Sequence, residues 1–195
     1  MNRQTGMTLI ELMIGVAIMA LLIMLAAPSL TTFIQNRQIR STAESISGAL
    51  QLARGAAMSS NSQAMFSLTS TVDDSCALSS SGPNWVVSNG DPTGACGSGA
   101  QVIEKQASVE NTANTQIAAT QNTVAQSGQI VFNGFGRVTP NQAADIWIDV
   151  ANPAGGDCGT ESGDMRCLRV VVSPGGMIKL CDPNVAYSLT YSQGC

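Results

Sequence analysis

The sequence predicts an α+β protein: one long N-terminal α-helix packed on a C-terminal antiparallel β domain held by disulfides. Three observations predict it. From Met7 to Ala27 the chain is apolar except for Thr8 and Glu11. Beyond that run, apolar residues recur in steps of three and four, the helical period, as far as Met58. From Asn61 onward, short apolar runs alternate with turn residues, and all six cysteines lie after residue 75.

The first element is long enough to cross a membrane, which takes about 20 apolar residues. Arg3 is the only charge in the short leader Met1–Gly6, and no Ala-x-Ala cleavage site follows the apolar run, so an ordinary secretory signal does not fit. Pro28 ends the run and removes one backbone donor. The helix is expected to continue past it, because Ile39, Ala43, Ile46, Leu50, Ala53 and Ala57 form one apolar stripe, with Arg37, Arg40 and Glu44 off it. A single helix from Met7 to Met58 is roughly 78 Å long at 1.5 Å per residue. The stripe is read as packing on the protein's own sheet. The part before Pro28 is left for a membrane or for other subunits.

The β region divides into candidate strands Gln63–Leu68, Trp85–Ser88, Gln101–Lys105, Gln129–Asn133, Asp145–Val150, Cys167–Ser173 and Met177–Cys181. Ile146, Ile148 and Val150 share one face, as do Leu168, Val170 and Val172. Ser173–Gly176 reads as a hairpin turn. Polar loops are expected at Thr69–Asn84, Gly90–Gly99 and Gln106–Ser127, the last rich in Thr, Asn, Gln and Ala and read as variable or partly disordered.

Cys76, Cys96, Cys158, Cys167, Cys181 and Cys195 are even in number and contain no Cys-x-x-Cys pair, so zinc and thioredoxin-like readings fail on spacing. Three disulfides in an oxidising compartment are expected. Proximity in sequence, among 15 possible pairings, selects Cys76–Cys96, Cys158–Cys167 and Cys181–Cys195.

No catalytic constellation is visible. The chain has no histidine, which removes the commonest general base and metal ligand. Asp73 and Asp74 read as a solvated loop, and Asp157, Glu161 and Asp164 as a polar loop closed by cysteines rather than a calcium site. Asn133–Arg137, "NGFGR", lacks the Gly-Lys-Ser/Thr of a phosphate cradle and reads as a turn. Neither a metal nor a cofactor is expected. The charge is −4 and the pI about 4.6. From Asn61 to Cys195 five cations face eleven carboxylates, five minus eleven being −6, so DNA is not an expected partner.

Glu11 asks for an explanation, because a lone carboxylate at helix centre in hydrocarbon costs about 2.5–3.5 kcal/mol. The stretch "GMTLIEL", with its apolar run and later proline, resembles the class III signal of type IV pilins and type II secretion pseudopilins. The resemblance implies cleavage by a prepilin peptidase between Gly6 and Met7, N-methylation of Met7, and pairing of Glu11 with the new Met7 amine, its own or a neighbour's, during assembly. Methionine replaces the usual phenylalanine at Met7. Pro28 falls where the family has its helix proline. "LQLARGAAMSSN", "IVFNGFGRV" and "VVVSPGGMIKLCDP" resemble the GspH/FimT group, and within it the FimU-like minor pilins.

The resemblance implies this organisation: leader peptide 1–6, transmembrane and filament-core helix 7–28, amphipathic continuation 29–59, and globular β domain 60–195 with a disulfide-closed C-terminal hairpin. It implies a non-enzymatic structural minor pilin that primes or caps type IV pili at or near the tip. The precursor is expected as a single-pass inner-membrane protein, N-terminus cytoplasmic and C-terminal domain periplasmic, and the assembled protein in the extracellular pilus. Implied partners are major and minor pilins, prepilin peptidase, the inner-membrane assembly platform and, before assembly, membrane lipid. The alternatives are an H-type pseudopilin of type II secretion and a FimT-type DNA-uptake pilin, the last disfavoured by a tail, Asp182–Cys195, without cations.

Overall fold

The architecture comes from a computed structural model. It describes residues 8–82, 84–97, 99, 101–107, 115–121, 124–125, 127–140, 143–159, 165–188 and 192–195, without the side chains of 25–29, 124 and 125. Helix α1 spans Leu9–Ser60, 52 residues. The chain divides into two compact units, Met1–Ile34 and Gln35–Cys195.

The first unit holds the N-terminal part of α1. It opens on a capping box: Thr8 N and Oγ1 donate to Glu11 Oε2 at 3.4 Å, and Glu11 N donates to Thr8 Oγ1 at 3.4 Å. A Thr-x-x-Glu box satisfies donors that a helix start leaves open. From Leu9 to Met24 every described side chain is exposed.

Among the described residues, the second unit holds the rest of α1 and ten strands. The helix ends in a Schellman motif: Asn61 takes a left-handed φ of 46°, Asn61 N donates to Met58 O, and Ser62 N donates to Ala57 O. Ile39, Ala43, Ile46, Leu50, Ala53 and Ala57 are all fully buried. The stripe read from the sequence is therefore the face that packs on this unit's own sheets. Arg40 and Glu44, off the stripe, pair along the helix at 2.8 Å.

Two antiparallel five-stranded sheets form around this stripe. Strands β1 (Ala64–Thr69), β2 (Asn84–Ser88), β3 (Val102–Gln106), β6 (Gln129–Phe132) and β7 (Val138–Thr139) form one, in the order β3-β2-β1-β6-β7. Strands β4 (Gln116–Gln121), β5 (Val124–Ala125), β8 (Ile146–Ala151), β9 (Leu168–Val172) and β10 (Ile178–Cys181) form the other, in the order β10-β9-β8-β4-β5. Phe66, Leu68, Trp85, Val87 and Phe132 from the first sheet share one core with Ile117, Ile148, Val150, Val170 and Val172 from the second and with the α1 stripe. Fully burying one such side chain is worth about 1.5–3 kcal/mol. Trp85 also donates from Nε1 to Ser45 Oγ on α1 at 2.9 Å.

One expectation is corrected. Gln106–Ser127, read as a polar loop, contains β4, which pairs with β8 along its whole length, from Gln116↔Ala151 to Gln121↔Ile146. Its burial alternates, with Ile117 and Ala119 in the core. The alternation was hidden because alanine marks a buried position as weakly as an exposed one, and its polar neighbours resemble a loop. Residues 108–114 of that stretch lie outside the described residues.

Candidate assembly site and its setting

Glu11 sits in the first turn of α1, where a carboxylate meets the positive end of the helix dipole. It is exposed, and its hydrogen bonds are the long ones to Thr8. The sequence reading missed Thr8; the signal was the Thr-x-x-Glu spacing ahead of an apolar run. Leu12, Met13, Val16, Met19, Leu22 and Ile23 surround the continuing helix, all exposed. A helix that is apolar all round is of the kind that calls for burial on every side. Among the described residues no helix is long and apolar enough to cross a membrane. Gly6, Met7 and the Pro28 side chain lie outside the described residues.

The disulfides join Cys76 to Cys96, Cys158 to Cys167 and Cys181 to Cys195. The first forms a small cluster with Val86 and Val102 on the face of β2 turned away from the helix. Lys105 fastens that loop, its Nζ donating to the carbonyls of Val72 (3.3 Å), Cys96 (3.0 Å) and Gly97 (2.9 Å). Asp74 Oδ1 accepts from Gly97 N at 2.8 Å. Asp73 accepts from the Ser75 hydroxyl and amide and from the Thr71 hydroxyl, and these bonds hold its carboxyl below the usual carboxylate range. Asp91 is lowered in the same way by the Thr93 amide and hydroxyl. These carboxylates act as turn caps. Among the described residues no group of three or more metal-ligating side chains converges; Glu161 and Asp164 lie outside them.

The third disulfide ties the C-terminus to β10. Asp182 N donates to Gln193 O, and Cys195 N to Asp182 O. Lys179 donates to Gly194 O at 2.9 Å and lies 4.5 Å from the Tyr187 ring centroid. Arg169 pairs with Asp149 through two bonds, at 2.6 and 2.9 Å, and stacks 4.4 Å over Trp147. The β9–β10 register puts Arg169 and Lys179 on one face, with aromatic rings that are scattered in sequence. Three of the β region's five cations are thus engaged by its own carboxylates and carbonyls.

Residues 42–176 match the family described as Type II transport protein GspH. The chain belongs to the GspH family. Residues 1–27 match the prokaryotic N-terminal methylation motif. The fold is similar to that of the type IV minor pilin FimU of Pseudomonas aeruginosa strain PAO1. Its P21 crystal form is 17% identical, covers 80% of this chain and 97% of that one, and has a TM-score of 0.52. The P65 form is 16% identical, covers 77% and 97%, and has a TM-score of 0.49. No curated protein sequence matches. The GspH match and the methylation motif make the chain a structural protein of the pilin and pseudopilin class, not an enzyme. The methylation motif implies prepilin peptidase processing, a membrane-anchored precursor and contacts with other pilins.

Proposed function

We propose that this GspH-family protein is a minor pilin built into type IV pili, where it primes or caps assembly at or near the tip. The observation that carries this reading is the split in α1. Its N-terminal part is apolar on every side and holds Glu11 as its one carboxylate, whereas its C-terminal part is committed to its own sheets. In this reading the precursor is a single-pass inner-membrane protein with its N-terminus cytoplasmic and its C-terminal domain periplasmic. Cleavage between Gly6 and Met7 frees an amine with an ordinary pKa near 8. That amine neutralises Glu11 of a neighbouring subunit as the helices enter the apolar filament core, and Pro28 closes the core segment. Assembly then carries the β domain to the cell surface.

The GspH match over residues 42–176 supports a second reading, an H-type pseudopilin of a type II secretion system. Deleting the gene separates the two: loss of twitching with normal exoprotein secretion supports the pilus, and the reverse supports secretion. Mass spectrometry of the protein from sheared pili is expected to find a methylated Met7 as the first residue. A mature start after Ala26 or Ala27 would overturn both readings.

A further inference from the structure

Two turns of similar design meet beside the C-terminal end of α1. In Asn133–Arg137, Gly136 N donates to Asn133 O, and Asn133 Oδ1 accepts from Phe135 N and Arg137 N. In Ser173–Met177, Gly176 N donates to Ser173 O, and Ser173 Oγ accepts from Met177 N. Gly136 and Gly176 have φ of 73° and 83°, which favours glycine. A Cβ on Gly176 would fall on the Gly136 carbonyl oxygen, and one on Gly136 would lie 2.8 Å from Met58 Sδ. The turns are seated on each other and on the helix.

This seating leaves large apolar side chains outside. Phe135 is 83% exposed, Met177 65% and Met58 44%. A groove of about 420 Å³ runs between Gln51, Arg54 and Met58 on α1 and Gly175, Met177 and Ile178 on the β9–β10 turn. Among the described residues that line it, Arg54 is the only charged one. Its Nε donates to Gly136 O at 3.2 Å, which fixes the guanidinium at the groove. The ion pairs among the described residues are Arg40–Glu44 and Arg169–Asp149, so no carboxylate described here neutralises Arg54.

We propose that this groove receives a segment of another filament subunit that presents one carboxylate beside an aliphatic or aromatic side chain. The proposal rests on the reading of this chain as a filament subunit. Charge complementarity selects the occupant. The β region is net acidic, yet the groove sets the Arg54 cation in a mixed lining, with Gln51 polar and Met58, Met177 and Ile178 apolar, which suits one carboxylate brought in beside an apolar side chain. The terminal guanidinium nitrogens take the carboxylate, a match of planar donor fork and acceptor. Met58 and Met177 adapt to the apolar side chain, since thioethers fill irregular gaps. An anionic lipid surface fits less well, because it would face a domain of charge −6.

Placing p-benzoylphenylalanine at Phe135 or at Met177 of the full chain, in cells, tests this, with a probe at Ile103 as reference. The Met177 probe in the groove and the Phe135 probe on the turn seated beside it are both expected to crosslink to one segment of a different pilin-class protein, with an Asp or Glu next to an apolar residue. Arg54→Glu should lower the yield at least tenfold and Arg54→Lys should retain it. A crosslink to a second copy of this chain, to lipid, or no more than the Ile103 probe yields overturns the proposal. Because Arg54→Glu risks misfolding, the double variant Phe135→Ala/Met177→Ala, which changes only exposed side chains, gives a second measure. Its thermal midpoint should be unchanged and its incorporation reduced; wild-type incorporation would overturn the groove. Protein present in sheared pili without groove crosslinks defeats this inference alone. Groove crosslinks to a secretion pseudopilin in a chain absent from pili defeat the pilus reading alone.

Discussion

The two parts of α1 use similar residues to opposite ends. Leu12, Met19, Leu22 and Ile23 are exposed, whereas Ile39, Ile46 and Leu50 have no accessible surface. The difference lies in pattern. The later residues fall on one stripe with polar residues opposite, so two sheets satisfy them completely. The earlier ones surround the helix, and no single surface can cover them. One region is finished when the chain folds. The other keeps its apolar side chains exposed; in the function proposed above, lipid or other subunits cover it and Glu11 finds a cation there.

The largest effect that sharpens this comparison comes from truncating one leucine in each part. Leu50→Ala should destabilise the β domain by about 2–5 kcal/mol, the usual range for a fully buried leucine. Leu22→Ala should change it by less than about 0.5 kcal/mol, as exposed substitutions do. Thermal or urea unfolding of the two variants decides it. Equal losses would mean that the early helix is packed on its own domain after all.

Next is the charge at Glu11. Leaving the partner amine alone in an apolar core costs about 2.5–3.5 kcal/mol, so Glu11→Gln should lower incorporation into filaments about 100-fold at 1.4 kcal/mol per decade. Membrane insertion should be intact, because the helix becomes more apolar. Glutamine can still complete the capping box with Thr8, and Thr8→Val removes that box while keeping the charge. Quantifying both variants in sheared pili separates the roles. If Thr8→Val loses as much as Glu11→Gln, Glu11 matters as a cap and not as a docking charge.

A smaller effect concerns the finished region's surface. Arg169, Lys179 and Lys105 are held by Asp149 and by backbone carbonyls, with Arg169 also stacked on Trp147. Cations engaged at home release few counterions from DNA. Fluorescence anisotropy at 150 mM salt should show no binding of the β domain below about 100 µM DNA, the weak end of non-specific association. Micromolar binding abolished by Arg169→Ala and Lys179→Ala would move the protein to the DNA-uptake class.

Legibility in the sequence followed the same division. The stripe from Ile39 to Ala57 and the inward faces of β8 and β9 were legible because large apolar residues recur at the period of their element. Strand β4 was not, since Ile117 is its only strong apolar mark. Glu11 stood out in the sequence, because a carboxylate in an apolar run is conspicuous. The Lys105 clamp could not: its three acceptors are backbone carbonyls, which any sequence supplies. The Arg169–Trp147 and Lys179–Tyr187 stacks depend on sheet register and on where the C-terminal disulfide brings the tail. Neither leaves a mark in local sequence.

The smallest predicted effect belongs to the turn-capping carboxylates. Asp73 and Asp91 have folded pKa values below the ordinary 3.8, because hydroxyl and amide donors favour the charged form. A depressed folded pKa means that the folded state binds protons less readily than the unfolded chain does. Their contribution is therefore fully present above the unfolded value and is lost as pH falls through the folded value, below about pH 4. Both groups are exposed, so solvent screens them and the effect is a change of slope rather than a collapse. Asn keeps an acceptor for the turn but cannot be ionised. The Asp73→Asn/Asp91→Asn variant should thus lose stability more gradually than the wild type when urea unfolding is followed from pH 5 to pH 2.5. Parallel curves for the two proteins would show that these turns are held by backbone geometry alone, with the carboxylate charge contributing nothing.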